Sequence, residues 1–81
     1  MVGERIKYHR KRQRYSQDQL GKLAGIEQVI ISRIERGTRA CRVDELVAIA
    51  KVLQMKPSEF LEEAEKQEPE IEEHELRRAK G

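Results

Sequence analysis

Side chains able to recognise the edges of nucleic-acid bases are spaced about one helical turn apart between residues 27 and 36. They are Gln28, Val29, Ser32 and Arg33. In the major groove of DNA, glutamine pairs bidentately with adenine, arginine pairs bidentately with guanine, and valine packs on the methyl group of thymine. A serine hydroxyl both donates and accepts hydrogen bonds. The spacing predicts a base-reading surface, and the alternative interpretation is an ordinary solvated helix face.

A helix over residues 27–36 is needed to turn these side chains outward together. Ile30, Ile31 and Ile34 follow the helical period and form its apolar side, facing or flanking the core. Gly37 comes directly after this stretch, as expected of a residue that ends a helix. The pattern therefore predicts an amphipathic helix with an outward polar face.

A second helix is predicted just before this one. Its apolar stripe, at i, i+3 and i+4, comprises Leu20, Leu23 and Ala24. Gly25 breaks the run and suits the positive φ of a tight turn, while Gly21 lies where the two helix axes would cross. Two short helices at a steep angle, over about residues 17–36, form a helix-turn-helix unit, whose second helix can enter a major groove.

The start of this second helix carries a clear capping signal. Ser16 is a good N-cap residue, and Gln19, three residues later, completes a capping box. Asp18 suits the positive end of the helix. The second helix is therefore predicted to begin directly after Ser16.

Three further helices complete the pattern. Residues 2–13 form the first, with Val2 and Ile6 facing inward. The fourth helix covers residues 43–53, and its expected core residues are Val43, Leu46, Val47, Ala50 and Leu53. The fifth starts near Pro57, which is favoured in a first helical turn, and Phe60, Leu61 and Ala64 close the domain.

Together these motifs resemble the Cro/C1-type (XRE) helix-turn-helix family. The resemblance is carried by SQDQL at residues 16–20, LAGI at 23–26 and ISRIERG at 31–37, within a match over residues 2–61. It implies an all-α fold, a compact five-helix, lambda-repressor-like DNA-binding domain over residues 1–62. An acidic C-terminal extension, residues 63–81, is expected to be a short helix or disordered.

The resemblance also implies roles for single residues. Base reading maps onto the same four positions, Gln28, Val29, Ser32 and Arg33. Gln17 is expected to touch a DNA phosphate and to buttress the next helix, although an ordinary solvated residue is the alternative. Arg10 and Glu35 match a buried ion pair that ties the first helix to the end of the third.

Several positions depart from the family pattern, among them Cys41 and Arg42, which stand where Pro and Ser are frequent. Glu27 stands where Ser or Thr is common, and a carboxylate near phosphates would weaken binding unless it accepts from a cytosine amino group or interacts only with the helix dipole. Arg14 and Gln54 stand where the family usually has glycine. His9 replaces a frequent leucine, and we expect it to be partly buried and neutral rather than catalytic or pH-sensing.

The charges are divided unevenly along the chain. Residues 1–42 carry eleven Lys or Arg against four Asp or Glu, a net charge of +7, whereas residues 43–81 carry six against eleven, a net charge of −5. A basic half suggests a surface that faces a polyanion. The loop after the third helix contributes to it, and its expected contacts with the DNA backbone come from Arg36, Thr38, Arg39 and Arg42.

Several classes of protein are disfavoured. The chain has no apolar run long enough for a transmembrane helix, and its start is too charged for a signal peptide. A single cysteine, Cys41, excludes an internal disulfide and suits the cytoplasm; we expect a small loop residue, with a redox switch as the alternative. We expect no metal site, no cofactor and no enzymatic activity, because no nucleophile with a neighbouring base is apparent.

The sequence thus favours sequence-specific binding of double-stranded DNA by a prokaryotic or phage transcriptional regulator, a repressor or autoregulator. The resemblance implies a homodimer on a palindromic operator, with half-sites about 34 Å apart. One alternative is an antitoxin-like or anti-regulator protein whose C-terminal tail binds a partner protein. Another is a protein-interaction module that has lost DNA binding, for which Glu27 is the only support.

Overall fold

A computed structural model describes residues 1–67, which form five α-helices joined by short turns. The helices are α1 (Val2–Arg12), α2 (Gln17–Ala24), α3 (Gln28–Arg36), α4 (Val43–Val52) and α5 (Pro57–Gln67). The prediction of an all-α, five-helix domain is confirmed. Within residues 1–67, no helix has the length and apolar character needed to cross a membrane. The expectations for residues 68–81 lie outside the described residues.

The local signals around α2 produce the predicted geometry. The Ser16 hydroxyl accepts the backbone N–H of Gln19 at 3.0 Å, and the Gln19 side chain accepts the N–H of Ser16 at 2.8 Å. Gly25 ends the helix with φ 72°. A Cβ on Gly21 would lie 2.5 Å from the carbonyl oxygen of Ile26. Only glycine therefore lets the chain after α2 approach the helix this closely.

The core takes side chains from all five helices. It contains Ile6, Leu20, Ile31, Ile34, Leu46, Ile49, Ala50, Leu53 and Phe60. Fully burying a large side chain of this kind stabilises the fold by about 1.5–3 kcal/mol. At Gly3, α1 crosses the end of α3 so closely that a Cβ would overlap the carbonyl oxygen of Ile34. This packing holds α3 against both α1 and α2.

Four apolar side chains that we expected in the core are exposed instead. Val43 is 80% exposed, Leu23 60%, Val47 49% and Leu61 47%. On α4 the buried side consists of Leu46, Ile49, Ala50 and Leu53. Apolar residues follow helical spacing on two sides of this helix, so periodicity alone did not show which side faces the core.

Polar contacts join α5 to α1. The Nε2 atom of His9 lies 2.8 and 3.0 Å from the two carboxylate oxygens of Glu63, and the partly buried His9 ring packs edge-to-face on Phe60. Arg5 adds a longer ion pair to Glu63, at 3.6 Å. Glu63 of α5 is thus tied to α1 through His9 and Arg5.

Within residues 1–67, two residues other than glycine have positive φ, each two positions after the last residue of a helix. Arg14 follows α1 with φ 63°, and Gln54 follows α4 with φ 57°. These are the two positions where the family resemblance led us to expect glycine. The left-handed conformation costs an L-residue about 1–2 kcal/mol, so both turns carry backbone strain.

Glycine at either position should relieve this strain. We expect Arg14→Gly and Gln54→Gly each to raise the free energy of unfolding by about 0.5–1 kcal/mol, measured by urea denaturation. Lys7→Gly is the matched control, because Lys7 is exposed within α1, and it should lower stability by about 1 kcal/mol. Loss of stability in both turn variants would contradict the assignment of strain.

Candidate nucleic-acid interface

The outward face of α3 presents the four residues predicted to read bases. Gln28, Val29 and Arg33 are exposed. Ser32 is partly exposed. Among residues 1–67, the side chains of Gln28, Ser32 and Arg33 find no hydrogen-bond or ion-pair partner. Their donors and acceptors are therefore available to an external ligand.

The inner side of α3 explains why this face points outward. Ile31 and Ile34 lie in the core, and Glu35 is only 5% exposed. Ile30 packs at the edge of the core. Because a helix repeats every 3.6 residues, burying this side places the polar positions on the other. Gly37, with φ 77°, then ends the helix.

A buried carboxylate anchors the end of α3 to the two preceding helices. Arg10 donates to Glu35 through Nε at 2.7 Å and through a second guanidinium nitrogen at 3.0 Å. Both side chains are buried. The same guanidinium also donates to the carbonyl oxygen of Tyr15 at 2.8 Å. Arg10 and Glu35 thus form a bidentate pair that also fixes the turn between α1 and α2.

Gln17, the first residue of α2, joins this network. Its Nε2 donates to the Oε1 atom of Glu35 at 3.1 Å, so the side chain supports α3 directly. The amide keeps a second N–H that does not take part in this bond. It lies at the N-terminal, positive end of a helix, which is a favourable place for a phosphate.

The loop from α3 to α4 carries the basic residues expected at a DNA backbone. Arg36 is exposed, and the Thr38 hydroxyl donates to the carbonyl oxygen of Arg33 at 3.2 Å. Arg39 is engaged inside the protein, because its guanidinium donates to Glu45 at 2.8 Å. Glu45 also accepts the backbone N–H of Arg42 at 2.9 Å.

Glu45 is a structural residue that we had not singled out from the sequence. The hydrogen bond from Arg39 is the main reason that its pKa lies below the ordinary value of 4.5. Its position three residues after Arg42 is the spacing of the acidic half of a capping box, which was the available signal. The Glu45 carboxylate therefore supports a helix start that lacks a capping side chain of its own.

Cys41 lies in the same loop and is partly buried. Burial is the main cause that raises the pKa of its thiol to about 11, and the nearby Glu45 carboxylate adds to it. The thiolate is the reactive form of cysteine, so a raised pKa disfavours reaction near neutral pH. The geometry supports the interpretation as a loop residue over the redox switch.

Glu27 occupies the N-cap position of α3 but does not cap it. Its backbone is extended, with φ −61° and ψ 142°, and its side chain makes no capping hydrogen bond. The carboxylate is exposed next to Gln28. It therefore places a negative charge beside the base-reading face, as the sequence indicated.

Comparison with known proteins agrees with this geometry. A family model described as Helix-turn-helix matches residues 6–60. The chain belongs to the Cro/C1-type helix-turn-helix family. The match includes α2, α3 and the turn between them, together with the core residues that hold them.

Individual members of the family are similar over most of this chain. Repressor protein C2 of Salmonella phage P22 is 38% identical over 61 residues, which are 75% of this chain and 28% of the relative. HTH-type transcriptional regulator DicA of Escherichia coli (strain K12) is 38% identical over 68 residues, 84% of this chain and 50% of DicA. The chain therefore spans at most half the length of these two relatives.

One similar solved structure contains DNA. The P22 c2 repressor in complex with a synthetic operator has a TM-score of 0.70 and 37% sequence identity. The similarity covers 74% of this chain and 91% of that one. Over the part of this chain that the similarity covers, the fold therefore resembles that of a repressor solved with a synthetic operator.

Removing the buried carboxylate should destabilise the whole domain. Glu35→Ala leaves the Arg10 guanidinium buried without its partner, and we expect a loss of about 3–5 kcal/mol in the free energy of unfolding. Asp18→Ala is the control, because Asp18 forms only an exposed pair with Lys22 at 3.1 Å. Its effect should stay within about 0.5 kcal/mol. Equal melting temperatures for the parent and Glu35→Ala would contradict this role.

The contribution of Glu45 should depend on pH. Because its folded pKa is lowered, its stabilisation is fully present above the ordinary value of 4.5 and is lost as the pH falls through the folded pKa. We expect Glu45→Gln to lower the melting temperature at neutral pH, and this difference to shrink towards pH ~3. Glu62→Gln, at an exposed position, is the control. A difference that stays constant with pH would exclude this linkage.

Proposed function

We propose that this chain binds double-stranded DNA in a sequence-specific manner and regulates transcription as a repressor or autoregulator. The observation that carries the proposal is the outward face of α3, whose polar side chains are unengaged within residues 1–67 while its inner side is held rigidly. Two similar proteins support it. One is a phage repressor solved with an operator, and the other is named a transcriptional regulator.

In this proposal α3 lies in the major groove. Gln28 pairs with adenine, Arg33 pairs with guanine and Val29 contacts a thymine methyl group. Ser32, one turn after Gln28 and Val29, adds a hydroxyl that both donates and accepts. The Glu35 network supplies the rigidity that such contacts need, since it fixes α3 relative to α1 and α2.

Contacts with the DNA backbone surround this face. Gln17 reaches a phosphate with its remaining amide N–H, and the loop residues complete the set, namely Arg36, Thr38, Arg39 and Arg42. Arg39 acts with a guanidinium that Glu45 already orients, which lowers the entropy lost on binding. Each neutralised phosphate should steepen the decrease of affinity with salt.

The proposed regulator acts in the cytoplasm of a bacterial cell as a homodimer. Two copies on one duplex present two α3 helices, so the operator is palindromic, with half-site centres one helical turn or ~34 Å apart. Doubling the contact surface is what raises the affinity of such a small domain for a specific site.

Selection from random duplex DNA at near-physiological salt tests this proposal. The parent should yield a palindromic motif, whereas Gln28→Ala and Arg33→Ala should each relax the preference at one position of each half-site. Each lost bidentate contact should weaken specific binding by about 1–3 kcal/mol. Lys56→Ala is the control for loss of a polar exposed side chain, because Lys56 lies outside α3 and its flanking loops.

One outcome of this selection would contradict the proposal. If no motif emerged and binding only decreased with salt for the parent and both α3 variants alike, base reading by α3 would be refuted. The basic surface would then be a non-specific polyanion site.

A further inference from the structure

The outer side of α4 exposes apolar groups without a partner in residues 1–67. Its central residues recur at i, i+3, i+4 and i+7, and they are Asp44, Val47, Ala48 and Lys51. They lie two positions before or after the buried residues of α4, which places them about 200° around the helix from the core. Val47 is 49% exposed, and Val43, beside it on the flank, is 80% exposed.

A neighbouring residue of α2 enlarges this apolar surface. Leu23 is 60% exposed and borders a groove between α2 and α4. The groove is also lined by Ala48, Lys51 and Val52. By helical position, Val43 and Val47 lie on one side of Ala48, whereas Val52, which borders the groove with Leu23, lies on the other. We call this set of residues, together with Asp44 and Lys51, the α4 face.

The charges on the α4 face are placed for pairing with a second copy of themselves. Asp44 and Lys51 are equally far from the midpoint between Val47 and Ala48, one on each side. If two α4 helices pack antiparallel about that midpoint, Asp44 of each copy lies level with Lys51 of the other. Neither side chain forms an ion pair within residues 1–67, so both are available.

We propose that a second copy of this chain docks on the α4 face through an antiparallel, two-fold symmetric contact. Val47 of each copy lies level with Ala48 of the other, and two Asp44–Lys51 pairs flank this centre. A two-fold contact requires a surface that is complementary to itself. The α4 face meets this requirement because it has opposite charges at equal distances on the two sides of an apolar centre. The inference specifies the surface of the homodimer named in the proposed function.

Charge reversal tests the register of the contact. Asp44→Lys and Lys51→Asp each replace two attractive pairs by two repulsive ones, and each should raise the dissociation constant of the dimer roughly tenfold or more. Sedimentation equilibrium without DNA measures that constant. Asp18→Lys and Lys22→Asp, a matched exposed pair on α2, should leave it unchanged.

Two combinations of these substitutions should restore the pairing of residue 44 with residue 51. An equimolar mixture of the Asp44→Lys and Lys51→Asp chains should form heterodimers, because each contact then joins opposite charges. The double variant Asp44→Lys/Lys51→Asp should form homodimers again. The double variant places a positive charge in the first turn of α4 and a negative charge in its last turn, and the helix dipole disfavours both. Recovery of the dimer therefore cannot come from a more stable helix. Melting temperatures verify that every variant is folded.

Three results would overturn the proposal. They are a parent chain that stays monomeric up to millimolar concentration, single variants that dimerise as well as the parent, and weakened single variants that neither mix into heterodimers nor recover in the double variant. Because no DNA is present, each of these results is independent of whether the chain reads a DNA sequence.

Discussion

The position of α3 depends on one buried charge, the carboxylate of Glu35. A carboxylate withdrawn from water is costly unless its oxygens are paired, and here they accept from Arg10 and Gln17 at 2.7–3.1 Å. The donors come from α1 and α2, so satisfying a single side chain of α3 requires all three helices to be in place. Such a group defines geometry more reliably than it adds stability.

The other charged side chains outside the Glu35 network have different roles. Arg39 and Glu45 support the start of α4, and His9 joins α5 to α1 through Glu63. In the part of the chain that the structure describes, Arg33 and Arg36 form no such pair. Net charge alone does not distinguish an arginine that a carboxylate already orients, such as Arg39, from arginines without such a partner in residues 1–67, such as Arg33 and Arg36.

Much of the fold was predictable because its signals are local. The helix boundaries agree to within one residue at α1, α3 and α4, and the capping box of Ser16 formed as expected. The α4 core was the main error, since Val43 and Val47 share the helical spacing of the buried residues. The outward residues of α3 were correctly placed because its inner side has three isoleucines and leaves little choice of orientation.

By itself, the sequence determined where helices begin and end, where the chain turns and which side chains of α3 face away from the core. These properties follow from contacts within about four residues, where period and capping act. Tertiary structure alone decided that Gln17 shares Glu35 with Arg10, that Glu63 of α5 contacts His9 of α1, and that the α4 face is exposed. Each of these depends on distances between residues far apart in the chain, which no local pattern encodes.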